Sequence, residues 1–312
     1  MGSMPNSSVA IILVNWNGIV FTRTCLQSLQ SLDYADFSVL VVDNGSTNPE
    51  GAQLKNEFPW IHLIETGKNL GFAGGNNVGI RKALEMGFNY ILLLNNDTEV
   101  EADFLGKMMF HFSENPKLAV LQPLICFLHE KDKIWSAGGK WQKLLGRAVT
   151  LGDRQYLRNF NPKREQLDWA TGCAILLKRE AIEEAGLMNE QYFVYFEDVE
   201  WSLRIRKKGF EIGLVPEAKI YHEAGASSKK KQDEGILSPQ VFYYHVRNQI
   251  FLLRSTSSNP LQALIRYAYH LSRFAIWMVY FLMRGRFKKL KAVLKGIIDG
   301  IGIKLKVDSQ WL

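Results

Sequence analysis

The feature that most constrains this fold is a short aliphatic run that stops abruptly at polar side chains. Residues 91–94 read Ile-Leu-Leu-Leu, and Asn95, Asn96, Asp97 and Thr98 follow directly. A run of apolar residues without alternation is typical of a strand buried on both faces of a parallel sheet. Because open α/β sheets bind ligands at the carboxyl ends of their strands, we expect chemistry where this run ends.

Three further aliphatic runs give the chain an alternating pattern. The runs occupy residues 9–14, 37–42 and 61–64, and segments typical of helices lie at residues 22–32, from Pro49 onward and at residues 78–86. This alternation predicts an α/β fold with a Rossmann-like, mostly parallel sheet and helices on both faces. Another helix is expected to begin near Glu99, with Asp97 or Thr98 as its cap.

Several strand ends carry acidic or amide groups that should meet at one edge of this sheet. Asn15 and Asn17 follow the first run, Asp43 follows the second, and a glycine-rich loop is expected at residues 67–77. Glycines let backbone N–H groups approach phosphate oxygens at a helix N-terminus. Each group alone is equally compatible with a turn, where Gly, Asn and Asp are common. Their convergence favours a ligand site.

Two familiar nucleotide-binding motifs are missing from the sequence. The turn at residues 15–18 lacks the G-x-G-x-x-G pattern of dinucleotide-binding proteins, and no G-x-x-x-x-G-K-[ST] loop occurs. A carboxylate such as Asp97 beside amide oxygens is instead suited to Mg²⁺, which usually takes one or two carboxylates plus substrate phosphates. The sequence therefore favours a cation and phosphate site of another kind.

The second half of the chain adds a pair of carboxylates and a histidine. Glu197 and Asp198 open a predicted helix that runs to Lys208. Acids in this position match the helix dipole, and the same position keeps a carboxylate ionised, as a general base requires. Two short strands are expected at residues 212–216 and 218–222, and the second ends on His222. That histidine is either structural or a metal ligand.

The segments between these motifs are predicted with less detail. Residues 118–127 form a strand, residues 140–166 form a surface excursion that covers an acceptor site, and a helix over residues 179–185 ends at Gly186.

Seven short motifs, in this order, resemble those of the inverting nucleotide-sugar glycosyltransferases of family 2, which have the GT-A fold. The motifs are VNWNG, VVDNGST, NLGFAGGNN, LLNNDT, ATGCAILLKRE, FEDVEW and the strand that ends in His222. The similarity covers residues 9–222 and is greatest with the rhamnosyltransferase-like subgroup. Any one motif is weakly specific, whereas seven in order are strongly so.

The resemblance implies a binding site for the nucleotide-sugar donor. Asp43 would hydrogen-bond the nucleobase, and Asn15 and Asn17 would flank the base and the ribose. The other donor-binding residues that the resemblance implies are Asn69, Gly71, Asn76, Asn95 and Asn96.

The resemblance also implies a divalent cation, Mg²⁺ or Mn²⁺, and a catalytic base. Asp97 matches the last acid of the metal-binding D-x-D motif, and His222 matches its distant ligand. Asn95 replaces the first acid, so weaker metal binding is expected. Asp198 matches the base, with Glu197 beside it. The loop that borders the donor sugar and the acceptor comprises Trp169, Thr171, Gly172 and Cys173.

The reaction implied is inverting transfer of a sugar, with rhamnose from dTDP-rhamnose as the best guess and a UDP-sugar next. The acceptor would be a glycan or a polyprenyl-linked sugar in cell-surface polysaccharide synthesis. The processive Q-x-x-R-W motif is missing at residues 243–249, so one or a few sugars are transferred. The alternatives are a binding module without catalysis and a sugar nucleotidyltransferase, which would show a basic glycine-rich loop after the first strand.

The C-terminal tail carries most of the positive charge. From Arg247 onward the chain has twelve Lys and Arg against two Asp and Glu, within a net charge of +7. Residues 261–306 are predicted to be helical throughout. No apolar run there approaches the roughly 20 residues that span a bilayer. The basic residues flank Trp277, Tyr280 and Phe281; they are Arg266, Arg273, Arg284, Arg286, Lys288, Lys289, Lys291 and Lys295.

This composition favours a tail that lies on an anionic membrane surface. The alternatives are a helix pair packed on the body and a contact between two copies of the chain. The nearly neutral body argues against nucleic acid as a partner. Three scattered cysteines fit a reducing compartment, so we expect a cytoplasmic protein on the inner face of the cell membrane.

The expected division follows from these patterns. Residues 1–8 form a disordered, tag-like leader, and residues 9–250 form the GT-A catalytic domain. Within that domain, residues 9–100 bind the donor and residues 101–250 the acceptor. Residues 251–312 form the basic amphipathic tail.

Overall fold

The computed structural model describes residues 7–115, 117–163, 166–223, 237–257 and 259–306. Its strands are β1 (Val9–Asn15), β2 (Phe37–Asp43), β3 (His62–Glu65), β4 (Tyr90–Leu94), β5 (Thr98–Val100), β6 (Leu118–Phe127), β7 (Glu130–Ser136), β8 (Gly139–Gln142), β9 (Arg147–Thr150), β10 (Gln166–Leu167), β11 (Ala174–Lys178) and β12 (Glu211–His222). Its helices are α1 (Ile19–Gln30), α2 (Glu50–Glu57), α3 (Gly71–Glu85), α4 (Phe104–Glu114), α5 (Arg179–Ala185), α6 (Glu197–Lys207), α7 (Pro239–Thr256), α8 (Pro260–Met283) and α9 (Phe287–Gly302). The predicted leader falls mainly on residues 1–6, outside the described residues.

A ten-stranded sheet organises the chain. Its strand order is β10-β12-β6-β11-β4-β1-β2-β3, with β5 paired to β12 and β7 paired to β6. Strands β1 to β4 are parallel to one another, as predicted. Strand β11 is antiparallel to both of its neighbours, β4 and β6. The predicted mostly parallel α/β sheet is therefore confirmed, with one reversed strand in its interior.

Both faces of the sheet are buried, which explains the unbroken aliphatic runs. Ile12 and Leu93 belong to the hydrophobic core on the face that α3 covers. Their neighbours Ile11 and Leu92 point to the opposite face, which α1 and α4 cover. Because successive side chains of a strand point to opposite faces, every position must be apolar. Full burial of each such side chain contributes about 1.5–3 kcal/mol.

The predicted glycine-rich loop is wrong, because most of it forms the first turns of α3. The helix begins at Gly71 rather than at residue 78. A β-carbon at Gly75 would lie 2.9 Å from Cγ1 of Val14, and one at Gly79 would lie 2.5 Å from Cγ2 of Ile12. The glycines therefore serve the close packing of this helix on β1.

The segment after Asp97 also differs from the prediction. No helix begins near Glu99, because Thr98–Val100 forms strand β5, which pairs with the last residues of β12. The next helix, α4, begins at Phe104. The two predicted strands that end at His222 are one strand, β12, with an irregularity between Val215 and Lys219. This longer strand places His222 beside the end of β4.

The tail folds as helices, but not as one continuous helix. The chain turns at residues 284–286, where Gly285 has a φ of +65°, and α9 ends at Gly302. A β-carbon at Gly296 would lie 2.8 Å from the carbonyl oxygen of Tyr243, so α9 packs closely on α7. Residue 250 lies inside α7. Among the helices that the structure describes, none combines the length and apolar character needed to cross a bilayer.

Three residues of the predicted basic and aromatic surface of the tail are buried instead. These are Arg266, Phe281 and Lys289. The guanidinium of Arg266 donates to the backbone carbonyls of Lys143, 2.9 Å from its Nε, and Thr256, 2.9 Å from its Nη1. Arg266 thus holds α8 to the turn between β8 and β9 and does not contribute to an exposed basic face.

A buried ion pair within α6, whose guanidinium also reaches the chain that follows α5, gives a stability prediction. Nε of Arg204 lies 3.0 Å from Oε1 of Glu200, and its Nη2 donates to the carbonyl of Leu187 at 2.7 Å. Arg204→Ala leaves the buried carboxylate of Glu200 without its guanidinium. We expect this variant to lose about 3–5 kcal/mol of unfolding free energy, measured by urea denaturation.

The control is Lys82→Ala, which removes an exposed pair with Glu85 at 3.3 Å. Exposed pairs contribute about 0–1 kcal/mol, so this variant should unfold almost as the parent does. Equal, small losses in the two variants would contradict the role assigned to Arg204.

Candidate functional site

The ends of β1, β2 and β4 meet at one edge of the sheet, as predicted. Asn15 and Asp43 are directly opposite each other in the β1–β2 pairing. Nδ2 of Asn15 donates to Oε2 of Glu50 at 2.9 Å, and its Oδ1 accepts from the hydroxyl of Thr22 at 2.7 Å. Asn15 is fully buried. Its amide therefore fixes the turn after β1 from beneath.

Asp43 shapes the loop after β2 with both of its carboxylate oxygens. Oδ1 accepts from the backbone N–H of Ser46 at 2.8 Å, and Oδ2 accepts from that of Gly51 at 2.8 Å. Asn17 meets the same loop, since its Oδ1 accepts from the N–H of Thr47 at 2.9 Å. Asn17 has a φ of +50°, a conformation that Asn tolerates better than most residues. A nucleobase partner would have to use the remaining lone pairs of Asp43.

Two buried residues of this loop system were missed by the sequence reasoning. Oε2 of Glu50 accepts from the N–H of Gly18 at 2.9 Å, in addition to its bond with Asn15. Oδ1 of Asn44 accepts from the N–H of Leu70 at 3.1 Å, and its Nδ2 donates to the carbonyl of Gly71 at 3.0 Å. Asn44 follows Asp43 in the motif, so its position was a signal. Glu50 carried none beyond its place in a first helical turn.

The glycine-rich segment contributes two of its three predicted residues to this edge. Oδ1 of Asn69 accepts from the N–H of Gly71 at 2.8 Å. Gly71 has a φ of +75°, and a β-carbon there would lie 2.5 Å from the carbonyl oxygen of Phe193. Asn76 is buried inside α3, where its Nδ2 donates to the carbonyl of Phe72 at 2.9 Å. Asn76 is therefore placed to orient the helix rather than to reach out of it.

Asp97 and His222 lie together where β4 and β12 end. Oδ1 of Asp97 is 3.1 Å from Nε2 of His222, and Nδ2 of Asn95 is 3.5 Å from the same nitrogen. The Trp135 ring packs edge-on against the imidazole, with centroids 4.5 Å apart. Asn96 points away from this cluster and donates to Thr22 at 2.8 Å. Of the predicted pair of amides, only Asn95 faces the histidine.

Buried surroundings control the charge of this cluster. Burial lowers the pKa of His222, but the neighbouring Cys173 and Asp97 outweigh it and raise that pKa above its usual value. Burial raises the pKa of the Cys173 thiol. A cation between Asp97 and Nε2 of His222 would take the place of this proton, since a metal-bound imidazole is neutral.

The donor atoms fit a divalent cation that completes its shell from a ligand. Among the described residues, no group of three or more His, Cys, Asp or Glu side chains could hold a metal. Asp97 and His222 supply one oxygen and one nitrogen, about as close as two neighbouring ligands of a small cation. Nδ1 of His222 is buried with no hydrogen-bond partner in the described part of the chain, so Nε2 is the nitrogen that faces the site.

The Glu197–Asp198 pair opens α6, as predicted. Oδ2 of Asp198 accepts from the N–H of Gly172 at 2.9 Å, and Oδ1 accepts from that of Val199 at 2.8 Å. Glu197 is buried, and its Oε2 meets no hydrogen-bond partner in the described segments.

The expectation that the helix N-terminus keeps these carboxylates ionised is incomplete. Burial raises the pKa of Asp198, although backbone N–H bonds oppose this. Burial and the neighbouring Asp198 raise the pKa of Glu197 well above its usual value. Burial outweighs the helix terminus here because the charged form loses its hydration. A carboxylate whose pKa is raised toward neutrality is better suited to accept a proton near that pH.

The loop before β11 joins the two halves of the site. The N–H of Asn95 donates to the carbonyl of Cys173 at 2.8 Å, and the preceding Gly172 binds Asp198. The N–H of Thr171 donates to Oε1 of Gln122 at 2.8 Å. Trp169 closes the far end, with its indole N–H 3.3 Å from the carbonyl of Lys140. The structure therefore brings Asp97 and Asp198 to opposite sides of one short loop.

A strained segment immediately before Asp198 was also missed. Phe193, Tyr195 and Phe196 have φ values of +65°, +71° and +69°. A positive φ costs a residue other than glycine on the order of 1–3 kcal/mol. Aromatic residues give no sequence signal for this conformation, which glycine and asparagine usually adopt.

Known proteins with similar sequences identify the family to which this chain is related. The family model described as Glycosyl transferase family 2 matches residues 10–186. The dTDP-rhamnosyl transferase RfbF of Shigella flexneri is 25% identical over 95% of this chain and 96% of its own. The N-acetylglucosaminyl-diphospho-decaprenol L-rhamnosyltransferase of Mycobacterium tuberculosis is 26% identical over 86% of this chain and 92% of its own.

Two solved structures share the fold, which confirms the predicted GT-A architecture. TarS 1–349 of S. aureus in complex with UDP-GlcNAc has a TM-score of 0.57 at 16% identity, over 94% of this chain and 81% of its own. The mannosyltransferase PcManGT of Pyrobaculum calidifontis, in complex with GDP-Man and Mn²⁺, has a TM-score of 0.55 at 13% identity, over 96% and 89%.

The role of Asp43 in the loop gives a prediction that needs no ligand. Asp43→Asn replaces one acceptor oxygen by an NH₂ group, which must face the N–H of Ser46 or Gly51. We expect a loss of about 1–3 kcal/mol in unfolding free energy, measured by urea denaturation. Glu65→Gln, at the exposed residue that pairs with Asp43 on β3, should change it by less than about 0.5 kcal/mol. An unchanged midpoint for Asp43→Asn would refute this role.

Proposed function

This chain belongs to glycosyl transferase family 2 and is a glycosyltransferase; we propose that it transfers a single hexose from a nucleoside-diphosphate donor with inversion at the anomeric carbon. The best-supported donor sugar is rhamnose, carried by dTDP, with a UDP-sugar as the second choice. The acceptor is a glycan or a polyprenyl-linked sugar of a cell-surface polysaccharide. Support for these finer assignments comes from two rhamnosyltransferases that are similar to nearly the whole chain.

The observation that carries this proposal is the loop at residues 171–173. Gly172 binds the carboxylate of Asp198, and Cys173 binds the backbone next to Asp97. A sugar lying over this loop would have its diphosphate on the Asp97 side and an acceptor hydroxyl on the Asp198 side. One displacement from the opposite face inverts the anomeric centre, so no covalent intermediate is needed.

Asp198 acts in this proposal as the general base. It accepts the proton of the acceptor hydroxyl as the oxygen attacks the anomeric carbon. Gly172 and Val199 hold the carboxylate in place, so it loses little freedom when the acceptor binds. Burial and the neighbouring Asp198 raise the pKa of Glu197, which disfavours a second negative charge beside the base.

Asp97 and His222 would hold a divalent cation, Mg²⁺ or Mn²⁺. Such a cation neutralises the negative charge that develops on the departing nucleoside diphosphate. Asn95, in place of a carboxylate, leaves the site with less charge to retain the cation without the donor. Asn15, Asn17, Asp43, Asn69 and Gly71 form the edge that would receive the nucleoside, and this donor half lies within residues 9–100.

The test is a panel of dTDP-, UDP- and GDP-sugars with a polyprenyl-linked acceptor, with and without Mn²⁺ or Mg²⁺. We expect dTDP-rhamnose to bind and react best, and the donor to bind more tightly with the cation present. Binding of no sugar nucleotide more tightly than the free nucleotide would overturn the proposal. A preference for a UDP-sugar would change the donor and leave the reaction class intact.

Asp198→Asn tests the base directly. The amide cannot accept the proton, so kcat should fall by about 10²–10⁴-fold, while donor binding, measured by calorimetry, stays near that of the parent. Burial raises the pKa of Asp198. As the pH falls, the parent should therefore lose activity at a pH above about 4, the pKa of an ordinary Asp. A variant with normal turnover would exclude Asp198 as the base.

We further propose that α8 and α9 lie on an anionic membrane surface. The exposed side chains of α8 are almost all apolar: Leu261, Leu264, Leu271, Ile276, Val279, Tyr280, Leu282 and Met283. Those of α9 add Phe287, Leu294, Ile298 and Ile301. Exposed apolar faces of this extent are typical of a binding surface. The body of the protein covers only the opposite faces of both helices.

Charge favours lipid as the occupant of this surface. Helix α8 has no acidic residue, and the single acid of α9, Asp299, accepts from the hydroxyl of Tyr243 at 2.7 Å. Arg284, Lys291 and Lys295 are exposed at the edge of the apolar face. Basic residues beside an apolar helix face suit the interface of an anionic bilayer. This position would also bring the site near a polyprenyl-linked acceptor.

The test uses vesicles with and without an anionic lipid. Val279→Glu and Lys291→Glu should each lower binding to phosphatidylglycerol vesicles in a flotation assay. The loss should be about tenfold or more for Val279→Glu, which would place a charge in the apolar part of the bilayer. Phe110→Glu, at an exposed residue of α4, should bind as the parent does. Unchanged vesicle binding together with a dimer that Val279→Glu dissociates would assign this face to a second copy of the chain instead.

A further inference from the structure

Helix α7 grips the backbone that leads into Asp198. Asn248 is fully buried, and its Nδ2 lies 2.8, 2.7 and 2.8 Å from the carbonyl oxygens of Tyr192, Val194 and Tyr195. Nη2 of Arg247 donates to the carbonyls of Gln191 and Tyr192, each at 2.8 Å. Two neighbouring side chains thus bind four carbonyls of one segment, those of residues 191, 192, 194 and 195.

Rings reinforce the same contact between α7 and this segment. Phe193 stacks on Tyr244 with centroids 5.3 Å apart, and Tyr195 stacks on His245 at 4.4 Å. Residues 193–196 include three aromatic residues with positive φ, a conformation that a free chain would seldom adopt. Buried carbonyls need hydrogen-bond partners, and Asn248 supplies them only while the segment keeps this shape.

The gripped segment touches both halves of the site. Its carbonyl at Phe193 accepts from the N–H of Ala73 at 3.2 Å, at the start of α3 on the donor side. Its last residue, Phe196, has a φ of +69° and caps α6. Asp198 follows two residues later and meets Gly172. Any relaxation of the segment would therefore shift the first turn of α6 and the carboxylate with it.

We propose that Arg247 and Asn248 are positioning residues for sugar transfer: they hold residues 192–196 in the backbone shape that has positive φ at Phe193, Tyr195 and Phe196, and so aim Asp198 at the acceptor. This inference rests on the proposed role of Asp198 as the base. Neither residue touches the reacting atoms. In the sequence, this part of α7 stands out only because the Q-x-x-R-W motif is missing there. An Arg-Asn pair on a helix does not by itself indicate a function.

The experiment compares three variants of the full chain. Asn248→Ala removes the donor to the three carbonyls, and Asn248→Asp keeps the shape but sets a carboxylate against them. Gln249→Ala is the matched control, because Gln249 is a buried amide on the same helix that donates at 3.2 Å to Gly146, away from the segment. Each variant is measured for kcat, donor binding by calorimetry, Tm, and amide hydrogen exchange of a peptide covering residues 192–201.

We expect Asn248→Ala to lower kcat by about 10- to 100-fold, the effect of a small misplacement of a reacting group. Donor binding should keep its stoichiometry and change by less than about threefold. Exchange in residues 192–201 should accelerate by about tenfold or more. Gln249→Ala should lower Tm without either effect. Asn248→Asp should be slower than Asn248→Ala, because its carboxylate repels the three carbonyl oxygens. If Asn248 acted only by filling space, Asn248→Asp would instead be the more active variant.

Three outcomes overturn the inference. One is an unchanged exchange rate in Asn248→Ala. Another is a loss of activity that matches only a smaller fraction of folded, donor-binding protein. The third is full activity of Asn248→Ala while Asp198→Asn is inactive, in which case the proposed function stands and the inference alone fails. Normal turnover of Asp198→Asn would instead remove the base itself.

Discussion

The reversed direction of β11 is the constraint on which the site depends. In a wholly parallel sheet, only the segments that follow strands reach the carboxyl edge. Because β11 is antiparallel to β4, the segment before it, residues 168–173, reaches that edge as well. A single hydrogen bond from Asn95 to Cys173, at 2.8 Å, then fixes this segment beside Asp97. The end of β4 and the carboxylate of Asp198 are thereby both tied to the backbone of residues 172–173.

Electrostatics separates the two halves that this loop joins. On one side, Asp97 favours a positive charge on His222, or a cation in its place. On the other, burial favours the neutral forms of Asp198 and Glu197. The site therefore favours positive charge at His222 and disfavours negative charge at residues 197 and 198. Different environments of this kind allow one site to contain both a general base and a group that carries positive charge.

Much of the sheet and of its carboxyl edge could be predicted from the sequence, because strands buried on both faces consist of unbroken aliphatic runs. The ends of β1, β2 and β4, and the opening of α6 at Glu197, followed from such local patterns. Long-range packing did not. Residues 71–77 look like a phosphate loop, yet Val14 leaves room only for glycine at position 75, where the helix packs closely on β1. Asn248 binds three carbonyls of residues 192–195, and no local sequence pattern indicates a contact between residues so far apart.

The distance along the chain between Asn248 and the segment it holds has a consequence for synthesis. The amide of Asn248 reaches a carbonyl 56 residues earlier in the sequence, after the whole family-matched region has been made. Domains generally form as the chain emerges, from the N-terminus onward. Strands β1 to β4 are therefore made well before the side chain that holds residues 192–195. A growing chain that has not yet reached residue 248 would lack this contact, so the backbone before α6 takes its final shape only after α7 has been made.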